Sequence, residues 1–497
     1  MKAACLALLL GAAPVAAQVP MFEDMGHNFP EHHYAGGWQH FVGGGVAVLD
    51  CSDNGLPDLF LAGGEGPSLL LRNQGDMQFA PEDVPLTGVT GAYPLDVDGD
   101  GVLDLFVLRV GPNVVLRGLG DCAFEDATEA LGIDAGQGWS TAFTAWWDEG
   151  QARPTLFVGN YVDLENPDGP FFACDDNQIL RPIGQGYASS PMTPGFCPLS
   201  ALAARDARGR KTLRLSNDRH YYVRGGYEQM WDIADARYLG PQDGWQEQML
   251  WGMGIASRDI TGNGLADVYL TSMADQLLQL AQEDGTYRSA PFEMGHTAHR
   301  PFQGDDGRPS TGWHAQWGDV TNNGRADLFV AKGNVDQMPD LAMSDPNNLL
   351  LQGTDGRFTE AAHLAGVADP ARSRGAALVD LTGDGRLDLV VVNRRAPARF
   401  YRNVTEDIGN WLAVELRMEG GSNRFAIGAR VHVETAQGAQ WQELSVGGGH
   451  AGGQAGPLHF GLGQAKHAVI AVDWPDGQTS RVEIDRLNQR LVLTPDG

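Results

Sequence analysis

Basic side chains are scarce in this chain. Its 497 residues carry 35 Lys and Arg against 63 Asp and Glu, a formal net charge of −28. Phosphate recognition needs clustered Lys and Arg, so nucleic-acid binding is excluded as a function class. An anionic membrane surface would repel the chain for the same reason. Long apolar runs are also missing: past the first residues nothing approaches the ~18 to 20 residues of a spanning helix, so no membrane span is expected. Catalytic signatures are absent as well, with no G-x-S-x-G, H-E-x-x-H, C-x-x-C-H or phosphate-cradling G-x-x-x-x-G-K-[ST]. No enzyme class is therefore indicated. Glycine, by contrast, is abundant. Its 66 copies are roughly twice the usual share, which favours turns and tight loops over long helices.

The chain opens with Met1-Lys2, an apolar run from Ala3 to Ala13, and the small residues Val15-Ala16-Ala17 before Gln18. That order reads as a signal peptide over residues 1–17, which places the mature protein in a secreted or periplasmic compartment. Of five cysteines, Cys5 would leave with the signal, and Cys51, Cys122, Cys174 and Cys197 remain. An even number in an oxidising compartment suggests disulfides. Cys174 and Cys197 bracket a Pro- and Gly-rich loop that a bridge would staple, which leaves Cys51 for Cys122. Four cysteines allow three connectivities, and free buried thiols are the alternative.

A repeat dominates the rest. Five segments share a short apolar strand, an Asp-rich loop and a second strand opening on Asp: AVLDCSDNGLPDLFLAGG from Ala47, PLDVDGDGVLDLFVLRVG from Pro94, ASRDITGNGLADVYLTS from Ala256, WGDVTNNGRADLFVAKG from Trp317 and LVDLTGDGRLDLVVVNR from Leu378. Weaker copies from Thr141 and Ser200 keep both strands and lose most of the loop. The marker residues Asp50, Asp96, Asp148, Asp206, Asp259, Asp319 and Asp380 recur at intervals of 46 to 61 residues. Such periods, filled with short strands, predict an all-β, seven-bladed β-propeller over residues 18–409. The last unit lacks a fourth strand, and Met21-Phe22-Glu23-Asp24 resembles the fourth-strand text Phe124-Glu125-Asp126. The N-terminal strand is thus expected to close the ring and remove an exposed sheet edge. Residues 410–497 read as a smaller β domain, with strands in WLAVELRM, ARVHVETA, WQELSV, AVIAVDW and SRVEIDRL joined by Gly-rich turns.

The Asp-rich loops carry the chemistry. Asp96, Asp98, Asp100 and Asp104 occupy positions 1, 3, 5 and 9 of one loop, and the carbonyl of Val102 at position 7 can add a ligand. Oxygen donors at that spacing wrap a hard cation, and calcium, with 6 to 8 flexible ligands, suits them better than magnesium. The other loops present Asp50, Ser52, Asn54 and Asp58; Asp259, Thr261, Asn263 and Asp267; Asp319, Thr321, Asn323 and Asp327; and Asp380, Thr382, Asp384 and Asp388. Up to five Ca2+ ions are expected, held tightest at the Asp96 loop and most weakly at the Asp259 and Asp319 loops, where fewer carboxylates remain. Plain Asx-turns are the alternative, since Asp, Asn and Gly favour turns in any case. The Asp148 and Asp206 units are expected to bind no metal.

These units resemble FG-GAP/VCBS repeats, and the C-terminal text resembles an ASPIC/UnbV domain through Ser422-Asn423-Arg424-Phe425-Ala426-Ile427-Gly428-Ala429-Arg430, His459-Phe460-Gly461-Leu462-Gly463 and Trp474-Pro475-Asp476-Gly477. The order of the two is similar to that in the cartilage acidic protein family and its bacterial relatives. The resemblance implies calcium-binding propeller loops, as in the heads of integrin α chains, and a secreted interaction protein with no agreed reaction chemistry.

Outside the loops, His27, His32, His33 and His40 gather near the N-terminus, and His296, His299 and His314 further on. Their irregular spacing in loop text favours solvated or hydrogen-bonded histidines, with a transition-metal site as the alternative. Asn217-Asp218-Arg219-His220-Tyr221-Tyr222 could line a propeller face, or hold an Asp–Arg pair in a connecting loop. Trp38, Trp139, Trp313 and Trp317 are expected to pack between blades. The reading that follows is an adhesion or interaction module for an extracellular protein or glycan. The alternative is a secreted enzyme acting on polysaccharide or another extracellular substrate at a propeller face.

Overall fold

The computed structural model describes residues 18–218, 225–274, 276–297, 308–418, 420 and 422–496. The signal-peptide reading over residues 1–17, His299, and Arg219 to Tyr222 lie outside them. Each repeat forms a four-stranded antiparallel sheet, and the strands run in chain order from the axis outwards. Blade 1 comprises Val46–Leu49, Asp58–Leu61, Ser68–Asn73 and Phe79–Val84. The first strands of blades 2 to 7 are Val89–Leu95, Ser140–Trp146, Pro198–Arg205, Gly252–Arg258, Gly312–Gly318 and Arg372–Val379. Each first strand packs on the next, and Val46–Leu49 meets Arg372–Val379, so the ring is closed.

Blade 7 has three strands of its own, Arg372–Val379, Asp388–Arg394 and Arg399–Asn403; Phe22–Asp24 is the fourth, with Phe22 opposite Asn403. The innermost strands are buried on both faces, which explains their near-continuous apolar text. Between blades the core is aliphatic and aromatic, with Phe106 stacked on Phe143 at 4.4 Å between ring centroids.

Both predicted disulfides are present. Cys51–Cys122 ties the Asp-rich loop of blade 1 to blade 2, and Cys174–Cys197 closes a loop on the opposite face. No helix among the described residues is long and apolar enough to cross a membrane.

Residues 410–493 form two further sheets, one of Leu458–Gly463, Asn410–Leu416 and Gln489–Leu493, the other of Gly438–Glu443, Arg430–Thr435, Ala468–Asp473 and Thr479–Ile484. Their shared core holds Leu412, Val431, Val433, Phe460, Ile470 and Val472. The sequence reading extends the third strand through Val446; the structure ends it at Glu443, because the chain there leaves the domain.

From Val446 to Ala455 the chain enters the propeller axis. Its backbone bonds to the first strands of several blades: Ala455 N–H donates to Val48 O at 2.8 Å, Gly453 N–H to Ala92 O at 3.1 Å, Gly448 N–H to Ala201 O at 2.8 Å and Gly449 N–H to Ile255 O at 2.6 Å. Only glycine permits the approach. A Cβ on Gly45 or Gly91 would fall 1.7 or 2.0 Å from Ala451 O, and one on Gly452 2.1 Å from Val46 O. His450 is wholly buried at the tip. Its Nδ1 faces Met253 O at 2.9 Å, its Nε2 accepts from Gly43 N–H at 3.2 Å, and its own N–H donates to His314 Nδ1 at 3.0 Å.

Beyond this plug, Val42, Trp139, Tyr161, Met253 and Trp313 cluster beside the Cys174–Cys197 bridge and close the other mouth of the channel. Of the four tryptophans expected between blades, Trp317 packs there with Tyr269 and Phe358. Trp139 and Trp313 belong to the cap instead. Trp38 lies edge-on to Trp139 and is 43% exposed.

Candidate metal centre

The five Asp-rich loops share one hydrogen-bond pattern, which follows from their spacing. The position-1 carboxylate folds back over its own loop: Asp96 accepts from Gly99 and Gly101 N–H at 2.7 and 3.0 Å. Asp50, Asp259, Asp319 and Asp380 do the same in their loops. Position 5 makes an Asx-turn, with Asp100, Asn54, Asn263, Asn323 and Asp384 each accepting from the N–H two residues on.

The position-9 carboxylate lies deepest. Asp104 accepts from Val97 N–H at 2.8 Å on one oxygen and from Gly118 N–H at 2.9 Å on the other, so it joins the ends of three strands. Asp58, Asp267, Asp327 and Asp388 repeat the bond to the third strand and the bond to the loop. Each of these five aspartates is buried.

Burial has an electrostatic consequence. Loss of hydration raises Asp96 to about 6 and Asp104 to about 7, and the neighbouring carboxylates add to both shifts. Burial also raises Asp98, Asp58, Asp50, Asp380 and Asp388, and takes Asp267 to about 6. Asp319 and Asp327, both buried and close to one another, are raised too.

Asp96, Asp98 and Asp104 fit a divalent cation: one oxygen of each lies within 4.8 Å of the others. Asp100 and Val102 are exposed on the same loop. Cys51, Asp58 and Cys122 are similarly close, but the sulfurs are joined to each other and offer no thiolate. Ser52 and Thr261 hydroxyls turn inward to Asp58 and Asp267, and Thr382 Oγ1 bonds Asp380. Thr321 Oγ1 accepts from Asn323.

The C-terminal domain covers this face. Trp441 Nε1 donates to Asp259 Oδ2 at 3.2 Å. Asn322 Oδ1 faces His459 Nε2 at 2.7 Å, and Gly463 N–H donates to Asn322 O at 2.8 Å. Arg490 donates to Gly55 O and lies 3.8 Å from Asp50, and Trp147 Nε1 donates to Ser422 O at 3.1 Å. A cleft of about 700 Å³ remains between the domains, bounded by Asp50, Asp96, Asp380, Trp411 and Trp441.

Family models match the two parts separately: an FG-GAP-like repeat over residues 50–107 and 334–391, and ASPIC and UnbV over residues 419–497. The chain carries FG-GAP-like repeats and an ASPIC/UnbV domain. Cartilage acidic protein 1 of Xenopus tropicalis is 32% identical over 126 residues, 24% of this chain and 19% of that protein. The Mus musculus protein of the same name is 33% identical over 111 residues, 22% of this chain and 17% of that one. The match thus spans less than a fifth of these relatives. Among solved structures, BBS1N in complex with ARL6DN aligns with a TM-score of 0.46 at 12% identity, covering 79% of this chain and 99% of that one. The extracellular domain of a hybrid two-component system from B. thetaiotaomicron aligns with a TM-score of 0.42 at 6% identity, covering 98% and 60%.

Several of the histidines singled out in the sequence have protein groups beside them. His32 Nε2 meets Ala62 O, His33 meets Glu31, His40 lies 3.7 Å from Glu65, and His314 receives the plug. Asp218 bonds the hydroxyl of Tyr161. Sequence reasoning missed the ASPIC/UnbV residues Trp441, His459 and Arg490, which touch the loops, and it missed His450. The run Gly447-Gly448-Gly449-His450-Ala451-Gly452-Gly453 was the available signal: so many glycines beside one histidine suit a segment threaded between backbones.

Proposed function

We propose that the protein is a secreted, calcium-stiffened propeller that serves as an interaction module for an extracellular protein or glycan. The single observation that carries this is the Asp96-Asp98-Asp104 cluster, three carboxylates crowded at the junction of blade hairpin and ASPIC/UnbV domain. Asp96, Asp98 and Asp104 would hold the ion with help from Asp100 and Val102 O; a bound Ca2+ would supply positive charge that offsets their repulsion. Asp50, Asp380 and their loop partners would hold further ions. The likeness to cartilage acidic protein 1 and the two disulfides support an extracellular setting.

Binding is favoured over catalysis because the axis, where a propeller enzyme would gather its groups, is filled by the plug. There His314 Nδ1 accepts from the backbone N–H of His450, and the His450 ring meets Met253 O and Gly43 N–H. Calorimetric titration of metal-free protein with CaCl2, alongside melts in calcium and in chelator, tests the reading. Saturable heat and a higher melting temperature are expected; identical melts and no heat would reject it. Capture of a partner from native surroundings in calcium, and its loss in chelator, tests the interaction role.

A further inference from the structure

On the face away from the ASPIC/UnbV domain, blade 7 gathers positive charge that an acidic chain can ill spare. Arg372, Arg394 and Arg395 converge on one carboxylate, Asp336, at 3.5, 3.8 and 3.2 Å. Arg372 and Arg394 are direct cross-strand partners, a like-charge placement that destabilises a sheet unless something uses it. Arg374, two residues along, is wholly buried and spends its guanidinium on the carbonyls of Phe41, Ser373, Asn334 and Val335, so it adds charge without a carboxylate of its own.

The cluster is only partly satisfied. Arg394 is buried with its Nε unpartnered. The Arg372 side chain makes no hydrogen bond among the described residues and is 27% exposed; that of Arg395, which donates to Asp336 and to Gly36 O, is 44% exposed. The chain just before Trp38 meets the cluster, for the carbonyl of Gly37 accepts from Arg394 at 3.3 Å. Exposed Trp and Arg are the residues that most often anchor protein interfaces.

We propose that this arginine rim docks an acidic segment of a protein partner, with a carboxylate of the segment spanning Arg372 and Arg395. The proposal rests on the interaction-module reading and names the partner's chemistry. A carboxylate is what the cluster already holds, and guanidinium forks match its two oxygens in plane. The net charge of −28 does not prevent docking, because physiological salt screens charge beyond about 8 Å and leaves the local arginines to decide.

Fluorescence anisotropy of a labelled hexaglutamate-tryptophan peptide with the full-length protein tests this. Wild type is expected to bind in a salt-sensitive way, and R372A/R395A to bind at least about tenfold more weakly. D336N, which removes the internal competitor and leaves the guanidiniums in place, should bind severalfold more tightly. R357A, at an exposed arginine on blade 6, should match wild type. Absence of peptide binding, equal binding by wild type and R372A/R395A, or weaker binding by D336N would each overturn the proposal. So would a sulfated oligosaccharide that binds in place of the peptide, since it would assign the rim to glycans. If R372A/R395A still retains the partner that wild type captures from native surroundings, the rim is wrong and the interaction reading stands. If neither captures a partner in calcium, the wider reading fails.

Discussion

Asp104 and Asp98 belong to one loop yet hold different duties. Both oxygens of Asp104 receive backbone N–H groups in a buried setting, whereas Asp98 accepts from its loop neighbour Asp100 and lies 3.9 Å from Arg117. In D104N an amide NH2 would confront one of those N–H donors. Urea unfolding in chelator should therefore show D104N destabilised by about 1 to 3 kcal/mol and D98N close to wild type. In calcium D98N should lose much of the ion-dependent gain, which calorimetric titration would read. His450 allows a pH prediction of known sign. Burial, with Arg374 and His314 nearby, lowers His450 to about 3 and His314 to about 4. Above about pH 6.5 both are neutral in the folded and unfolded chain and contribute no pH dependence. Below that the unfolded chain takes up protons that these two histidines refuse in the fold, so their contribution to stability should fall from pH 6.5 towards 4, while the raised loop aspartates Asp96 and Asp104 act in the opposite sense. H450N should show a shallower acid limb in melts taken across that range.

At the scale of elements, the plug and the closing strand are the two segments most exposed to test. Backbone of the plug fits against Gly45, Gly91 and its own Gly452 with no room for a methyl group. G91A and G452A should each lower stability by about 1 to 3 kcal/mol, the usual cost of overpacking, and open residues 444–457 to protease. Intact protection of that segment in both variants would show that the plug tolerates more space than its contacts suggest. Phe22–Asp24 completes blade 7, and Phe22 is buried against blades 6 and 7. Deleting residues 18–24 strips a strand and uncovers a sheet edge, so a lower melting temperature and concentration-dependent aggregation are expected by calorimetry and light scattering.

For the whole molecule, the decisive feature is that the ASPIC/UnbV domain is not an appendage. It places a segment on the axis of the ring and lays Trp441, His459 and Arg490 on the FG-GAP-like loops. The plug's backbone bonds and the buried His450 tie the two parts together. Scanning calorimetry of the full chain should therefore give one cooperative transition, raised by calcium as a unit. Two resolved transitions, with only the first responding to calcium, would show that the domains melt separately.

Local spacing was enough for much of this. The period of 46 to 61 residues, the Asp and Gly positions in each loop and the alternation of apolar residues express contacts within one blade, so the ring and the loops could be read from text. The likeness of Phe22-Glu23-Asp24 to Phe124-Glu125-Asp126 pointed to the closing strand. The disulfide pairing stayed open until the fold brought Cys51 to Cys122 and Cys174 to Cys197. What text could not hold was any pairing between residues far apart with no shared pattern. His450 meets His314 across 136 positions, and Arg394 reaches Gly37 across 357. Nothing in a glycine run or in a scattered set of arginines states its partner. Only closure of the ring makes an axis for the one to fill, and only the approach of loop 333–341 to blade 7 sets a carboxylate among the others.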